Sequence, residues 1–134
     1  MKTLIAEDDF TSRLLLQELL NSFGPCHVAV NGTEAVEAVR ISLEAKEPYD
    51  LICLDIMMPE MDGQQVLKTI RTLEQEKGIN HRQEVKIIMT TAMDAPKDVV
   101  EAYYNGGCTS YLVKPIEKKK LVAELATFGL VKRN

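Results

Sequence analysis

Two kinds of hydrophobic spacing alternate along this 134-residue chain, and the alternation restricts the folds that it can adopt. Short apolar runs, typical of buried strands, are followed by stretches in which apolar residues recur at helical intervals. The five strand-like runs are residues 4–6, 26–30, 51–54, 85–89 and 111–113. Strands that are apolar on both faces and alternate with helices indicate a parallel sheet covered on both sides. We therefore expect a single α/β domain over residues 1–134, with a doubly wound sheet and helices on both faces.

The stretches between the strand-like runs predict five helices. The apolar positions that carry the helical spacing are Leu15, Leu16, Leu19, Leu20 and Phe23; Val36, Val39 and Leu43; Val66, Ile70 and Leu73; Val99, Val100 and Tyr103; and Leu121, Leu125 and Phe128. Residues 74–86 are highly charged and break this pattern, so we expect a solvated loop there with His81 at the surface.

Composition narrows the class of protein. The net charge of −4 and the pI near 5.2 argue against nucleic acid as the main partner. Cys26, Cys53 and Cys108 are too far apart for a zinc site, which favours reduced thiols. The N-terminus turns acidic after three apolar residues, too early for a signal peptide, and no apolar run is long enough to span a membrane. We expect a soluble, cytoplasmic protein.

Polar residues follow four of the five predicted strands. They are Glu7, Asp8 and Asp9 after the first strand, Asp55 after the third, Thr90 and Thr91 at the end of the fourth, and Lys114 after the fifth. Ligands of open α/β sheets bind outside the carboxyl ends of the strands, so these groups are expected to converge on one site. Taken singly, Asp8 or Asp9 could be a helix cap and Lys114 an ordinary loop lysine.

Converging carboxylates repel one another, by roughly 4 kcal/mol per pair at about 4 Å and an effective dielectric near 20. Either a proton is retained or a hard divalent cation is bound, and Mg²⁺ suits a site with few carboxylates and a phosphate oxygen. A carboxylate, Mg²⁺, a lysine and a threonine are the groups that stabilise a phosphoryl group in transfer. The pattern therefore predicts that Asp55 accepts a phosphoryl group.

The segments "TLIAEDD", "DIMMPEMDG", "MTTA" and "SYLVKP" together resemble the receiver domains of bacterial two-component response regulators, in particular the stand-alone chemotaxis regulators. The resemblance covers nearly the whole chain. It implies a flavodoxin-like fold, a five-stranded parallel sheet in the order 2-1-3-4-5. It also implies that Asp55 is phosphorylated by a histidine kinase in a reaction that needs Mg²⁺.

The resemblance assigns the residues of the site one by one. Glu7, Asp8, Asp55 and the backbone carbonyl of Met57 would bind Mg²⁺, and Lys114 would bind the phosphoryl group. In the family, an arginine commonly follows the second acid of the pocket by five residues. Arg13 therefore makes Asp8 that second acid and leaves Asp9 as the cap of the first helix. Thr91 and Tyr111 would be the switch residues, the Lys114–Pro115 peptide bond would be cis, and Gly63 would mark the turn after the phosphorylation loop.

The resemblance also implies how the protein acts. Phosphorylation would alter the surface of the fourth helix, fifth strand and fifth helix, near Tyr103, Tyr104 and residues 118–120. The partner would be a downstream protein or a histidine phosphotransfer protein, with no direct binding to nucleic acid and no insertion into membrane. The chain would be no enzyme apart from catalysing its own phosphorylation and dephosphorylation. Met57 and Met93 would flank the path of the hydrolytic water and lengthen the lifetime of the phosphoryl group.

Two other functions would use a similar sheet. A phosphatase of the haloacid dehalogenase type needs a second aspartate two residues after its nucleophile, where this chain has Met57. A flavodoxin-like FMN carrier needs a Ser/Thr/Gly phosphate loop after the first strand, where this chain has three acids that would repel phosphate. The sequence disfavours both.

Overall fold

The computed structural model describes residues 1–92 and 107–132. Its strands are β1 Thr3–Ala6, β2 Cys26–Ala29, β3 Leu51–Asp55, β4 Lys86–Thr91 and β5 Ser110–Val113. Its α-helices are α1 Phe10–Leu20, α2 Gly32–Glu44, α3 Gly63–Glu76 and α4 Lys118–Thr127, and a short 3₁₀ turn, Asn21–Phe23, follows α1. Helix α4 is the fifth helix predicted from the sequence. The predicted fourth helix, with Val99, Val100 and Tyr103, lies outside the described residues.

The five strands form one parallel sheet in the order β2-β1-β3-β4-β5, which confirms the predicted fold class and strand order. Successive side chains of a strand point to opposite faces, so each strand contributes to two cores. Leu4, Ile52 and Ile87 pack with residues of α2 and α3 on one face. Ile5, Cys53, Ile88 and Leu112 pack with residues of α1 and α4 on the other face.

Side chains at the helix N-termini determine where the helices begin. The Asp9 carboxylate accepts a hydrogen bond from Ser12 N at 2.9 Å, and Asn31 does the same for Glu34 N at 2.8 Å. Asp62 and Gln65 form a reciprocal capping box at the start of α3. The prediction that Asp9 caps the first helix is confirmed, and Asp8 is left available at the end of β1.

The prediction that residues 74–86 form a solvated loop is wrong at its N-terminal end. Helix α3 continues to Glu76, and Glu74 is only 4% exposed. Glu74 Oε1 accepts a hydrogen bond from Arg71 Nη1 at 2.8 Å, and Glu74 Oε2 accepts one from Val85 N at 2.7 Å. A buried acid with two partners therefore anchors a loop of residues 77–85. His81 is at the surface, as expected.

No helix among residues 1–92 and 107–132 combines the length and the apolar character that a membrane span requires.

Candidate functional site

Three carboxylates meet at the carboxyl end of the central strands. Glu7, Asp8 and Asp55 each offer one carboxylate oxygen, and these three oxygens lie within 4.8 Å of one another. Glu7 and Asp55 are buried, whereas Asp8 is exposed. The predicted convergence of acids on one edge of the sheet is thus present, with one face open to solvent.

The loop after β1 is held in place by its own side chains. Glu7 N donates to Ala29 O at 3.0 Å and extends the pairing with β2 by one residue. Arg13 Nη1 donates to the carbonyl oxygen of Glu7 at 3.0 Å. Because Arg13 is on α1, this bond ties the acidic loop to the helix that follows it. The family spacing of Arg13 thus corresponds to a physical contact.

The loop between β3 and α3, residues 56–62, is closed by backbone hydrogen bonds next to Asp55. Ile56 N donates to Thr90 O, and Gly63 N donates to Ile56 O, both at 3.0 Å. A Cβ on Gly63 would lie 2.8 Å from the carbonyl oxygen of Asp55, which excludes any side chain there. Gly63 is the first residue of α3, and its lack of a side chain lets the start of this helix lie close to the backbone of Asp55. The loop residue with a left-handed backbone is Glu60, with φ of 69°.

Lys114 supplies the positive charge of the site. Its Nζ lies 2.5 Å from Glu7 Oε1 and 3.5 Å from Asp55 Oδ1. The backbone of Lys114 is fixed by a 2.7 Å hydrogen bond from its N–H to Thr91 O. The Lys114–Pro115 peptide bond is cis, as the resemblance implies. The sequence prediction that Lys114 joins the carboxylates is confirmed.

Burial and crowding change the protonation of the site. Burial, together with the hydrogen bond and negative charge of Glu7, raises the pKa of Asp55 to about 8, against the opposing effect of Lys114. Burial lowers the pKa of Lys114, but the close contact with the Glu7 carboxylate and the negative charges of Asp55 and Glu7 outweigh that effect and leave the pKa raised. Without a cation, Asp55 therefore retains its proton near neutral pH.

These residues fit a divalent cation. Carboxylate oxygens are the ligands that Mg²⁺ prefers, and its charge would replace the retained proton. Glu7 Oε1 is buried and has the ion contact with Lys114, but no described residue meets it at hydrogen-bonding geometry. Glu7, Asp8 and Asp55 are the residues that would hold Mg²⁺. Met57 N donates to Asp55 Oδ1 at 3.2 Å, and the role of the Met57 carbonyl stays a prediction.

The other predicted residues lie around the cluster without joining it. Thr91 is buried at the end of β4, and alternation places its side chain on the face of Met89, opposite that of Asp55. The Thr91 hydroxyl is 3.4 Å from Ala92 O. Tyr111 is 40% exposed and Met57 is 70% exposed. Met93 lies outside the described residues.

The sequence placed Thr90 among the polar residues at the strand ends but assigned it no role of its own; in the structure Thr90 pairs with Asp55 in the β3–β4 register and lies on the same face of the sheet. Strand alternation counted from Ile88 could have identified it, since Ile88 and Thr90 are two residues apart.

The fold and the site together define a class of protein: an α/β domain with a doubly wound parallel sheet that gathers a strand-end aspartate, two further acids and a lysine at the carboxyl ends of its strands. Residues 3–126 match the model of the response regulator receiver domain family. The chain belongs to this family, which confirms the family expected from its motifs.

Individual relatives agree with this assignment. The two-component response regulator ORR41 of Oryza sativa subsp. japonica is 32% identical over 133 residues, which are 97% of this chain and 95% of ORR41. The chain also matches much longer sensory and histidine kinase proteins, of whose length it spans 17% or less.

Two solved structures are similar. The receiver domain of the sensor histidine kinase PA1611 from Pseudomonas aeruginosa PAO1, which has a magnesium ion coordinated in its active site cleft, superposes with a TM-score of 0.76 at 27% identity, covering 95% of each chain. The receiver domain of the Saccharomyces cerevisiae response regulator Ssk1, solved with the histidine phosphotransfer protein Ypd1, has a TM-score of 0.80 at 25% identity, covering 96% of this chain and 88% of the other.

Proposed function

We propose that this receiver domain accepts a phosphoryl group from a phosphohistidine on Asp55 in a reaction that requires Mg²⁺. The observation that carries the proposal is the buried Asp55 carboxylate, which lies beside Glu7 and Asp8 and within 3.5 Å of the Lys114 ammonium. A buried acid surrounded by two others costs folding free energy, which a structural role alone does not explain.

The proposed reaction moves a phosphoryl group from the imidazole nitrogen of the donor to Asp55. An ionised Asp55 oxygen attacks phosphorus, the P–N bond to the donor imidazole breaks, and the imidazole leaves with that electron pair and a proton from solvent. The products are an aspartyl phosphate and a neutral histidine. Asp55 must first lose the proton that its raised pKa retains, and Lys114 favours the ionised form. Bound Mg²⁺ would supply charge neutralisation for the phosphoryl oxygens.

The output of the switch forms the second part of the proposal. Phosphoryl oxygens attract the Thr91 hydroxyl toward the site, and Tyr111 moves into the space that Thr91 leaves. The surface of β5 and α4, including Lys118, Lys119 and Lys120, then changes its affinity for a partner. Tyr103 and Tyr104, which belong to the same prediction, lie outside the described residues.

The partners we propose are a histidine kinase as donor and either a downstream protein or a histidine phosphotransfer protein as recipient. The complex of the Ssk1 receiver domain with Ypd1 supports a phosphotransfer protein as one class of partner. The proposal includes a stand-alone role and a cytoplasmic location. It also includes the absence of catalysis other than the domain's own phosphorylation and dephosphorylation.

Phosphoryl uptake tests the proposal. Incubation of the purified protein with acetyl phosphate and Mg²⁺ should add one phosphoryl group per chain, measured by intact-protein mass spectrometry. Chelation of Mg²⁺ should abolish the uptake, and Asp55→Asn should take up none. Full uptake by Asp55→Asn would show that the acceptor is another residue.

A further inference from the structure

Thr90 carries a buried hydroxyl that has no hydrogen-bond partner. The residue is 1% exposed, and its Oγ1 meets no donor or acceptor among residues 1–92 and 107–132. The register of β3 and β4 places Thr90 directly beside Asp55. Cys53 and Ile88, two residues earlier on each strand, lie in the core beneath α1 and α4, so Asp55 and Thr90 project from that same face. An unpaired buried hydroxyl costs about 1–3 kcal/mol, so its position beside the reactive acid calls for a physical explanation.

The side chain of Lys114 passes close to Thr90, which offers an explanation for the unpaired hydroxyl. Strand β4 lies between β3 and β5, and Lys114 follows directly after β5. Its Nζ nevertheless reaches Asp55 at the end of β3 and Glu7 beyond it, at the end of β1. The side chain of Lys114 must therefore cross the carboxyl end of β4, where Thr90 lies. The register of Thr90 with Leu112 agrees, because Lys114 continues the same face two residues later.

The ammonium group has more donors than the structure gives it carboxylate partners. A lysine ammonium carries three N–H donors, and the ion pairs of Lys114 within the described residues are those with Glu7 and Asp55. Glu7 is also one of the three acids that would hold a cation, and two positive groups compete for one carboxylate. An ammonium that leaves Glu7 for Asp55 gives up its shortest ion contact, and the buried Thr90 hydroxyl beside Asp55 can accept a hydrogen bond in its place.

We propose that Thr90 is a positioning residue for Lys114, whose ammonium donates a hydrogen bond to Thr90 Oγ1 when a cation binds Glu7 and Lys114 moves to Asp55, where it would face a phosphoryl group. This inference rests on the proposed function, and it adds a residue that acts through Lys114 rather than on the phosphoryl group itself. Thr90 would hold Lys114 over the end of β4 and leave Glu7 available to a cation.

The chain offers a matched control for the variant that tests this. Thr3 on β1 is also 1% exposed, and its Oγ1 is also without a partner in the described part of the chain. It lies at the opposite end of the sheet, paired with Leu51. Replacing an unpaired buried hydroxyl by a methyl group of the same shape is close to neutral or stabilising, so Thr3→Val and Thr90→Val should both fold. Thr90→Ser keeps the hydroxyl and should restore what Thr90→Val loses.

Two readouts test the inference. With acetyl phosphate and Mg²⁺, Thr90→Val should be phosphorylated about tenfold more slowly than wild type, since a hydrogen bond to a charged group is lost, whereas Thr90→Ser and Thr3→Val should match wild type. In Mg²⁺, nuclear magnetic resonance of ¹⁵N-labelled protein should show that the Lys114 ammonium protons exchange with water faster in Thr90→Val than in the other three proteins. The signal is assigned by its absence in Lys114→Arg.

The second readout does not depend on phosphoryl transfer, which separates this inference from the proposed function. If wild type takes up no phosphoryl group while Thr90→Val still accelerates ammonium exchange, the proposed function fails and the positioning of Lys114 by Thr90 stands. If the ammonium of Thr90→Val exchanges as slowly as that of wild type, or if Thr90→Ser behaves like Thr90→Val, the inference is overturned.

Discussion

At the scale of single residues, the protonation of Asp55 links the stability of the domain to its site. The pKa of Asp55 is raised to about 8 in the folded protein by burial and by Glu7, whereas an aspartate in an unfolded chain has a pKa near 3.8. The folded state therefore holds a proton that the unfolded state releases between these pH values. The resulting contribution to stability is present at acid pH and is lost as the pH rises toward 8.

Asp55→Asn should reveal this dependence, because asparagine has a similar shape and does not titrate. In the absence of divalent cations, the variant should be more stable than wild type by a margin that grows from about pH 5.5 to about pH 8.5, as measured by urea unfolding. Asp9→Asn is the control. The pKa of Asp9 is lowered by its hydrogen bond to Ser12, so Asp9 is ionised throughout this range and its margin should stay constant. An equal margin for Asp55→Asn at both pH values would contradict the raised pKa.

Met57 is expected to lengthen the lifetime of the phosphoryl group on Asp55. Its side chain is 70% exposed at the rim of the site, and a thioether cannot orient or deprotonate a water for attack on phosphorus. We expect slow self-dephosphorylation in wild type. The double variant Met57→Asn/Met93→Glu should lose its phosphoryl group faster, by about tenfold or more, measured as decay of purified phosphoprotein in Mg²⁺. Equal decay rates would show that the methionines do not control access of water.

At the scale of elements, the ends of α3, β4 and β5 are joined by one network of charged side chains. Arg71 Nη1 donates to Glu74 Oε1 at 2.8 Å and to Val85 O at 3.0 Å, and its Nε and Nη2 both donate to Gly107 O. Glu74 in turn accepts from Val85 N. The network fixes the amino ends of β4 and β5, and so sets the register that brings Thr90 and Lys114 to the site.

Glu74→Gln should therefore destabilise the domain. The amide cannot satisfy Arg71 and the N–H of Val85 at once, because one of its two polar groups is a donor. We expect a loss of about 1–3 kcal/mol in the free energy of unfolding by urea, as for a buried group left without its partner. Glu76→Gln, on the exposed side of the same helix, should change stability by less than about 0.5 kcal/mol. A similar small change in both variants would show that the buried network does not stabilise the loop.

At the scale of the whole molecule, the sequence predicts those features that depend on local patterns. Apolar runs and helical spacing located the described strands and helices, and the strand ends located Glu7, Asp55 and Lys114. The features that were missed depend on contacts between distant segments. The burial of Glu74 requires Arg71 and the backbone of Val85, and the relation of Thr90 to Asp55 requires the register of two strands. Neither can be read from one segment alone.

The carboxyl ends of β1, β3 and β5 bring Glu7, Asp55 and Lys114 into one site, and the proposed reaction takes place on the carboxylate of Asp55. Borohydride reduction of an acyl phosphate converts the modified aspartate into homoserine, which peptide mass spectrometry locates in the chain. After treatment with acetyl phosphate and Mg²⁺, we predict homoserine at position 55 alone, and none when Mg²⁺ is chelated. Homoserine at Asp8, Asp9 or another acid, with Asp55 unmodified, would contradict the assignment of Asp55 as the phosphoryl acceptor.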